Sequence, residues 1–164
     1  MATQFGVHLG IQNATVSDLR NLWTWLDDNG VDWISLWDHL YEAPPAGGTQ
    51  PHFEAFSMLG ALAVDTHAAR IGCLVFCSQY RNIGLLTKGA ISVDHLSGGR
   101  FEMGMGSGWH EQEAKAFGFD FPSQGQRFAV LEGQLQAINA WRDGERVTQS
   151  TPSVELTDAA MLPG

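Results

Sequence analysis

The chain has 164 residues, 44% of them hydrophobic and 16% charged, which excludes a disordered chain and fits one domain. With 9 Lys+Arg against 18 Asp+Glu the net charge is −9, so roles on nucleic acid or an anionic membrane surface are excluded. No apolar run approaches the roughly 20 residues of a membrane span, and MATQFGVHLGIQN carries no secretion signal, so a cytoplasmic protein is expected.

The first apolar run, Phe5–Ile11 (FGVHLGI), has the length of a strand. A helical pattern follows, with Leu19, Leu22, Trp23 and Leu26 on one face, Thr15, Ser17 and Asp18 as candidate N-terminal residues, and Asn29-Gly30 as the stop. Trp33–Trp37 (WISLW) reads as a second strand. The loop Tyr41–His52 holds Pro44, Pro45, Gly47, Gly48 and Pro51, which exclude regular structure. Phe53–Asp65 is a second helix, with Phe56, Leu59, Leu62 and Ala63 as its stripe. Arg70–Phe76 (RIGCLVF) is a third strand; its Cys73, with Cys77, reads as a small apolar residue rather than half of a disulfide. Leu85–Leu96 is a third helix, with Leu85, Leu86, Ala90, Val93 and Leu96 in line and Ser97-Gly98-Gly99 ending it. Phe101–Met105 is a fourth strand. Arg127–Trp141 is a fourth helix, with Phe128, Leu131, Leu135, Ile138 and Trp141 three or four apart. Residues 1–142 thus read as βα units, and 143–164 as an irregular tail.

None of the four strands alternates cleanly, as expected of a parallel sheet buried on both faces. Ligands in such sheets meet the C-terminal strand ends. That rule selects Gln12 and Asn13, then Asp38 and His39, then Val75, Phe76 and Cys77, and finally Gly104 to His110. Asp38-His39 is the strongest pair chemically, since imidazole moves protons near neutral pH and an adjacent carboxylate biases it. The same two residues also suit a loop cap and a packed histidine. GMGSG lets backbone approach a ligand closely, but it fails the dinucleotide fingerprint because Trp109 stands where glycine is needed. His110 and Glu113 read as a capping or solvent-facing pair, and Arg81 and Arg100 as structural anchors.

SLWDHL at 35–40, the segment from Arg70 to Glu113, and GFDFPSQGQRFAVLEGQLQAI at 118–138 together resemble the bacterial-luciferase-like monooxygenase family. The resemblance implies a (β/α)8 barrel that binds a flavin-type ring at its C-terminal mouth: 5-deazaflavin coenzyme F420 by preference, or FMN. It implies that His39 handles a proton beside the reactive ring carbon and that Asp38 contacts the coenzyme. A non-prolyl cis peptide behind the ring aligns with Leu74 and Val75. Ser107 and Gly108 match positions along the coenzyme's polar tail. Trp109 stands there where the family's sugar-phosphate dehydrogenases carry an acid. With deazaflavin, oxidation of a small organic substrate needs no oxygen; with reduced FMN, oxygen is consumed.

Such barrels need eight βα units and roughly 250 residues. Four units are present, so the expected fold class is α/β, an N-terminal half-barrel, with SVELTDAAMLPG resembling the approach to strand five. Half a barrel leaves apolar lining and strand edges uncovered. The expectation is therefore a fragment of a longer product, a chain that self-associates or pairs with a complementary half-barrel, or a non-catalytic remnant.

Overall fold

The computed structural model describes residues 3–44, 47–151 and 154–163. In chain order the elements are β1 (Gly6–Leu9), α1 (Val16–Asp28), β2 (Trp33–Leu36), α2 (Ala55–Asp65), β3 (Arg70–Cys77), α3 (Ile83–Ser97), β4 (Phe101–Gly106), α4 (Glu111–Ala116), α5 (Gln124–Arg142), β5 (Val147–Thr151) and β6 (Val154–Ala159). One sheet has the order β1-β2-β3-β4, with β2 parallel to both β1 and β3. This is the expected alternation of strands and crossover helices. The chain divides into two compact units, Met1–Phe76 with Ser92–Gly104, and Cys77–Ile91 with Met105–Gly164.

In the first unit the near-continuous apolar strands supply the core. Ile34, Leu36, Ile71, Cys73 and Phe76 are buried, and Ile34 stands between Val7 and Ile71 in register. Two glycines permit close strand approach, because a Cβ on Gly72 or Gly104 would collide with the carbonyl oxygen of Glu102 or Cys73 respectively. Helix α1 starts at Thr15, whose hydroxyl accepts from the Asp18 amide while the Asp18 carboxylate accepts from the Thr15 amide. Its Leu19, Trp23 and Leu26 are buried. The Trp23 indole and the Arg20 guanidinium both donate to Asp65 at the end of α2, and the Arg20 bonds hold that carboxyl below its ordinary range. Helix α2 begins at Ala55, later than the apolar pattern predicts, because the Glu54 carboxylate caps the amides of Phe56 and Ser57.

Arg100 is the anchor expected of it. Its guanidinium donates to the carbonyls of Ala63, Thr66, Ala69 and Ser97, closing the α2–β3 turn against the start of β4. Asp27 does the complementary work with the amides of His67, Ala68 and Ala69. Burial pushes the Asp27 carboxyl up, and those amides, aided by Arg100, outweigh it and hold the carboxyl down.

Two predicted stripes shift. On α3 the buried residues include Ile83, Leu86, Ala90 and Val93, whereas Leu85 and Leu96 are exposed. On α5 the buried residues are Gly133, Gln134, Ala137 and Trp141, whereas Phe128 and Leu135 are exposed. The expected stripe of α5 is thus packed only in part, at Trp141 and partly at Leu131 and Ile138. A small residue at Gly133 lets the β5–β6 hairpin approach, and Gln149 donates to its carbonyl. That hairpin corrects the reading of 143–164 as irregular. Val147, Thr148, Thr151, Val154 and Thr157 are β-branched and favour strands, and the Trp141 indole ties the second strand down by donating to Ala159 O at 2.9 Å. Helix α4 was also absent from the sequence reading; at 6 residues it is too short for periodicity to reveal.

Candidate active site

In the first unit, Asp38 and His39 follow the last residue of β2, at the C-terminal strand end where they were expected. Asp38 is buried and His39 half-buried. Trp37 lies between several imidazoles. Its ring meets His39 edge-on at 5.7 Å between centroids and 90° between planes, and meets His8 edge-on at 6.0 Å. The indole Nε1–H donates to His52 Nε2 at 2.8 Å. His8 Nδ1 is 2.8 Å from the Ser35 hydroxyl, and burial lowers the pKa of His8.

The loop after His39 is organised by one buried carboxylate. Glu42 accepts from the amides of Gly48, Thr49 and Gln50 and from the Thr49 hydroxyl, all at 2.7–3.0 Å. Burial pushes the Glu42 carboxyl up, and these donors overwhelm that effect and lower its pKa to about 2. The Gln12 side chain accepts from the Ala43 amide. Pro45, within the expected binding loop, lies outside the described residues.

On β3 the Leu74–Val75 peptide bond is cis, at the bond the resemblance singles out. Leu74 and Val75 are 48% and 38% exposed, unlike the buried Cys73 and Phe76 beside them. An apolar pair is therefore left open on a strand that has neighbours on both sides.

In the second unit, Ser107, Gly108 and Trp109 follow β4. Gly108 has φ +74°, and a Cβ there would lie 2.7 Å from Gln79 Oε1 and 2.9 Å from Cys77 Sγ, so glycine is required on two counts. Trp109 is 62% exposed and meets the His110 ring edge-on. His110 Nδ1 accepts from the Glu113 amide, as a capping residue does. Glu113 is not solvent-facing: it is fully buried and receives the Tyr80 hydroxyl at 2.5 Å. Tyr80 and Glu113 therefore connect the β3 exit with the β4 exit. Gln134 donates to Ser78 O at 2.8 Å and further fixes that exit. A cleft of about 910 Å³ opens beside it, lined by Gln79, Arg81, Asn82, Phe119, Phe121 and Gln134 among others. The sequence reading missed Glu42, the Trp37–His52 bond and the Tyr80–Glu113 pair. Only a polar residue amid a turn-rich loop hinted at the first, and no local pattern marks the other two.

A sequence profile described as luciferase-like monooxygenase matches residues 1–164. The chain belongs to the luciferase-like monooxygenase family. It is 27% identical over 146 residues to the F420-dependent glucose-6-phosphate dehydrogenase of Nakamurella multipartita, covering 88% of this chain and 42% of that protein. It is 32% identical over 139 residues to the 4-hydroxyprotoasukamycin monooxygenase of Streptomyces nodosus subsp. asukaensis, covering 84% and 35%. An F420-dependent secondary alcohol dehydrogenase solved with an F420–acetone adduct matches with a TM-score of 0.85 at 19% identity, over 99% of this chain and 49% of that one. The oxygenating constituent of 3,6-diketocamphane monooxygenase from Pseudomonas putida, solved with FMN, matches at 0.79 and 14% identity, over 99% and 45%. The chain thus spans about half the length of these relatives, or less. The likeness places the fold as the N-terminal half of the luciferase-like barrel. No helix among the described residues is long and apolar enough to cross a membrane.

Proposed function

We propose that this luciferase-like chain forms the coenzyme-ring side of an oxidoreductase acting on a small organic substrate, with F420 preferred and FMN the alternative. One observation carries the reading: Leu74 and Val75 are open on a central strand, next to the strand whose exit carries Asp38 and His39. A central strand normally buries both faces. An uncovered apolar pair beside two ionisable residues suits the face of a flat heteroaromatic ring, so the residues fit the coenzyme.

Leu74 and Val75 would support the ring. Asp38, buried one residue before His39, would meet a polar edge of the coenzyme. His39 would take or return the proton of the substrate hydroxyl at an imidazole nitrogen, since imidazole carries both a donor and an acceptor nitrogen. Ser107 and Gly108 offer a hydroxyl and an approachable backbone for the polar tail. Trp109 adds an apolar surface and cannot replace an acid, because indole does not release a proton in this range. The bound coenzyme supplies the redox step, direct with substrate for F420 and through oxygen for reduced FMN. The chain contributes orientation, exclusion of water and proton management.

A complementary half, either a second copy or the remaining units of such a barrel, would complete the protein. Its support is the exposure of Phe128 and Leu135 on α5 and the half-length coverage of every relative above. The buried cysteines Cys73 and Cys77 fit a reducing cytoplasm.

Titration with F420 and with FMN, followed by ring absorbance, tests the reading on the chain alone and with a complementary half supplied. Binding at micromolar concentration is expected in the second case; no spectral change in either rejects it. Oxygen-independent turnover identifies F420 chemistry, and oxygen consumption identifies FMN chemistry. His39→Ala should lower turnover by about 10²-fold or more with coenzyme affinity little changed. Unchanged turnover removes the proton role.

A further inference from the structure

Imidazole orientation about the last side-chain torsion is loosely held by the torsion itself. A histidine that must present one nitrogen to a substrate needs an outside constraint. In this chain the constraint is legible. The Trp37 indole stands perpendicular to His39 at 5.7 Å, an edge-on geometry that aromatic rings favour. Trp37 is itself held on two sides. On one side it lies against the β1 exit so closely that a Cβ on Gly10 would come within 2.8 Å of the ring. On the other its Nε1–H donates to His52 Nε2 at 2.8 Å, with the two rings inclined by only 17°.

His52 is fixed in turn by the backbone. The Asn13 amide donates to Pro51 O at 3.0 Å, and the Phe53 amide donates to Ile11 O at 3.1 Å, so a short antiparallel bridge flanks the imidazole. Indole nitrogen can only donate. The His52 nitrogen that faces it must therefore be the unprotonated one, which leaves His52 neutral with its proton on Nδ1.

We propose that Trp37 is a positioning residue that sets the ring orientation of His39, and that His52 is the acceptor that locks Trp37. The brace runs from the 11–13/51–53 bridge through His52 and Trp37 to His39. It deepens the reading of His39 as the proton-handling group and rests on it for its functional consequence. The structural arm stands separately.

Both arms use the full chain. In the first, the histidine ring resonances are followed by NMR in wild type, Trp37→Leu, Trp37→Phe, His52→Leu and His52→Gln. Trp37→Leu should displace the His39 ring signals by removing the indole ring current. His52→Leu should displace them too, by releasing the Trp37 indole N–H. His52→Gln, which restores an acceptor to the indole N–H, should return them to the wild-type position, an effect that lost folding would not produce. Trp37→Phe keeps an aromatic edge without the N–H and checks the result in a chain of near-native bulk. His39 signals that ignore His52→Leu, or that Gln fails to restore, overturn the proposal.

The second arm measures turnover and coenzyme affinity, with the complementary half supplied. Trp37→Leu and His52→Leu should lower kcat by about tenfold to a hundredfold, the usual consequence of a misplaced catalytic group, with coenzyme Kd unchanged. A fall in affinity without a fall in kcat overturns the positioning role. Should wild type bind neither coenzyme, the oxidoreductase reading fails, and the resonances of His39 still decide the brace.

Discussion

The two strand exits that carry the candidate residues are each followed by a buried glutamate, yet the two glutamates are used in opposite ways. After β2, Glu42 gathers the amides of Gly48, Thr49 and Gln50, all within 8 residues of itself. After β4, Glu113 receives the hydroxyl of Tyr80, 33 residues away at the exit of β3. The first glutamate folds its own loop, whereas the second ties two strand exits together. A local knot and a long-range tie stabilise against different disturbances, because only the tie opposes separation of distant segments.

The sharpest way to break this contrast is at Glu113. Glu113→Ala leaves the Tyr80 hydroxyl buried without its acceptor and should cost about 2–4 kcal/mol in urea unfolding. Glu113→Gln keeps an acceptor and should cost clearly less. If both variants matched wild type, the tie would contribute nothing.

Gly108→Ala comes next. Positive φ together with contact against Gln79 and Cys77 should cost about 1–2 kcal/mol, and should perturb the amides of Ser78 and Gln79 rather than those of the Glu42 loop. Perturbation spread equally over both loops would erase the distinction.

The smallest effect is confined to acid. The folded pKa of Glu42, about 2, lies below its ordinary 4.5, so its stabilisation is complete above about pH 4.5 and is lost as pH falls through 2. Amide exchange at Gly48, Thr49 and Gln50 should accelerate over that window in wild type, relative to a Glu42→Gln chain in which the protection has no such pH dependence. An acid-independent difference between the two would show that the carboxylate is not the organiser.

The Glu42 loop also shows how far sequence reaches. Its prolines and glycines mark it as irregular, and its place after a strand marks it as a binding loop. Nothing in that composition says which side chain turns inward. The α5 stripe makes the same point about helices. Periodicity selects Phe128, Leu131, Leu135, Ile138 and Trp141, and of these only Trp141 is fully buried; Gly133, Gln134 and Ala137 are buried beside it, and at Gly133 the β5–β6 hairpin makes a close approach that a larger side chain would hinder. Periodicity reports amphipathicity, and it does not report which neighbour arrives.

By itself the sequence determined the order of the four parallel strands and the helices that join them, the strand-end positions of Asp38 and His39, and the family. These follow from local apolar runs, turn residues and chemistry at fixed chain positions. Only the tertiary structure decided the partners. It set Trp37 between His39 and His52, buried Glu113 against Tyr80, opened Leu74 and Val75, and paired Val147–Thr151 with Val154–Ala159. Contacts between distant residues depend on how whole elements pack, and no short stretch of chain encodes that arrangement.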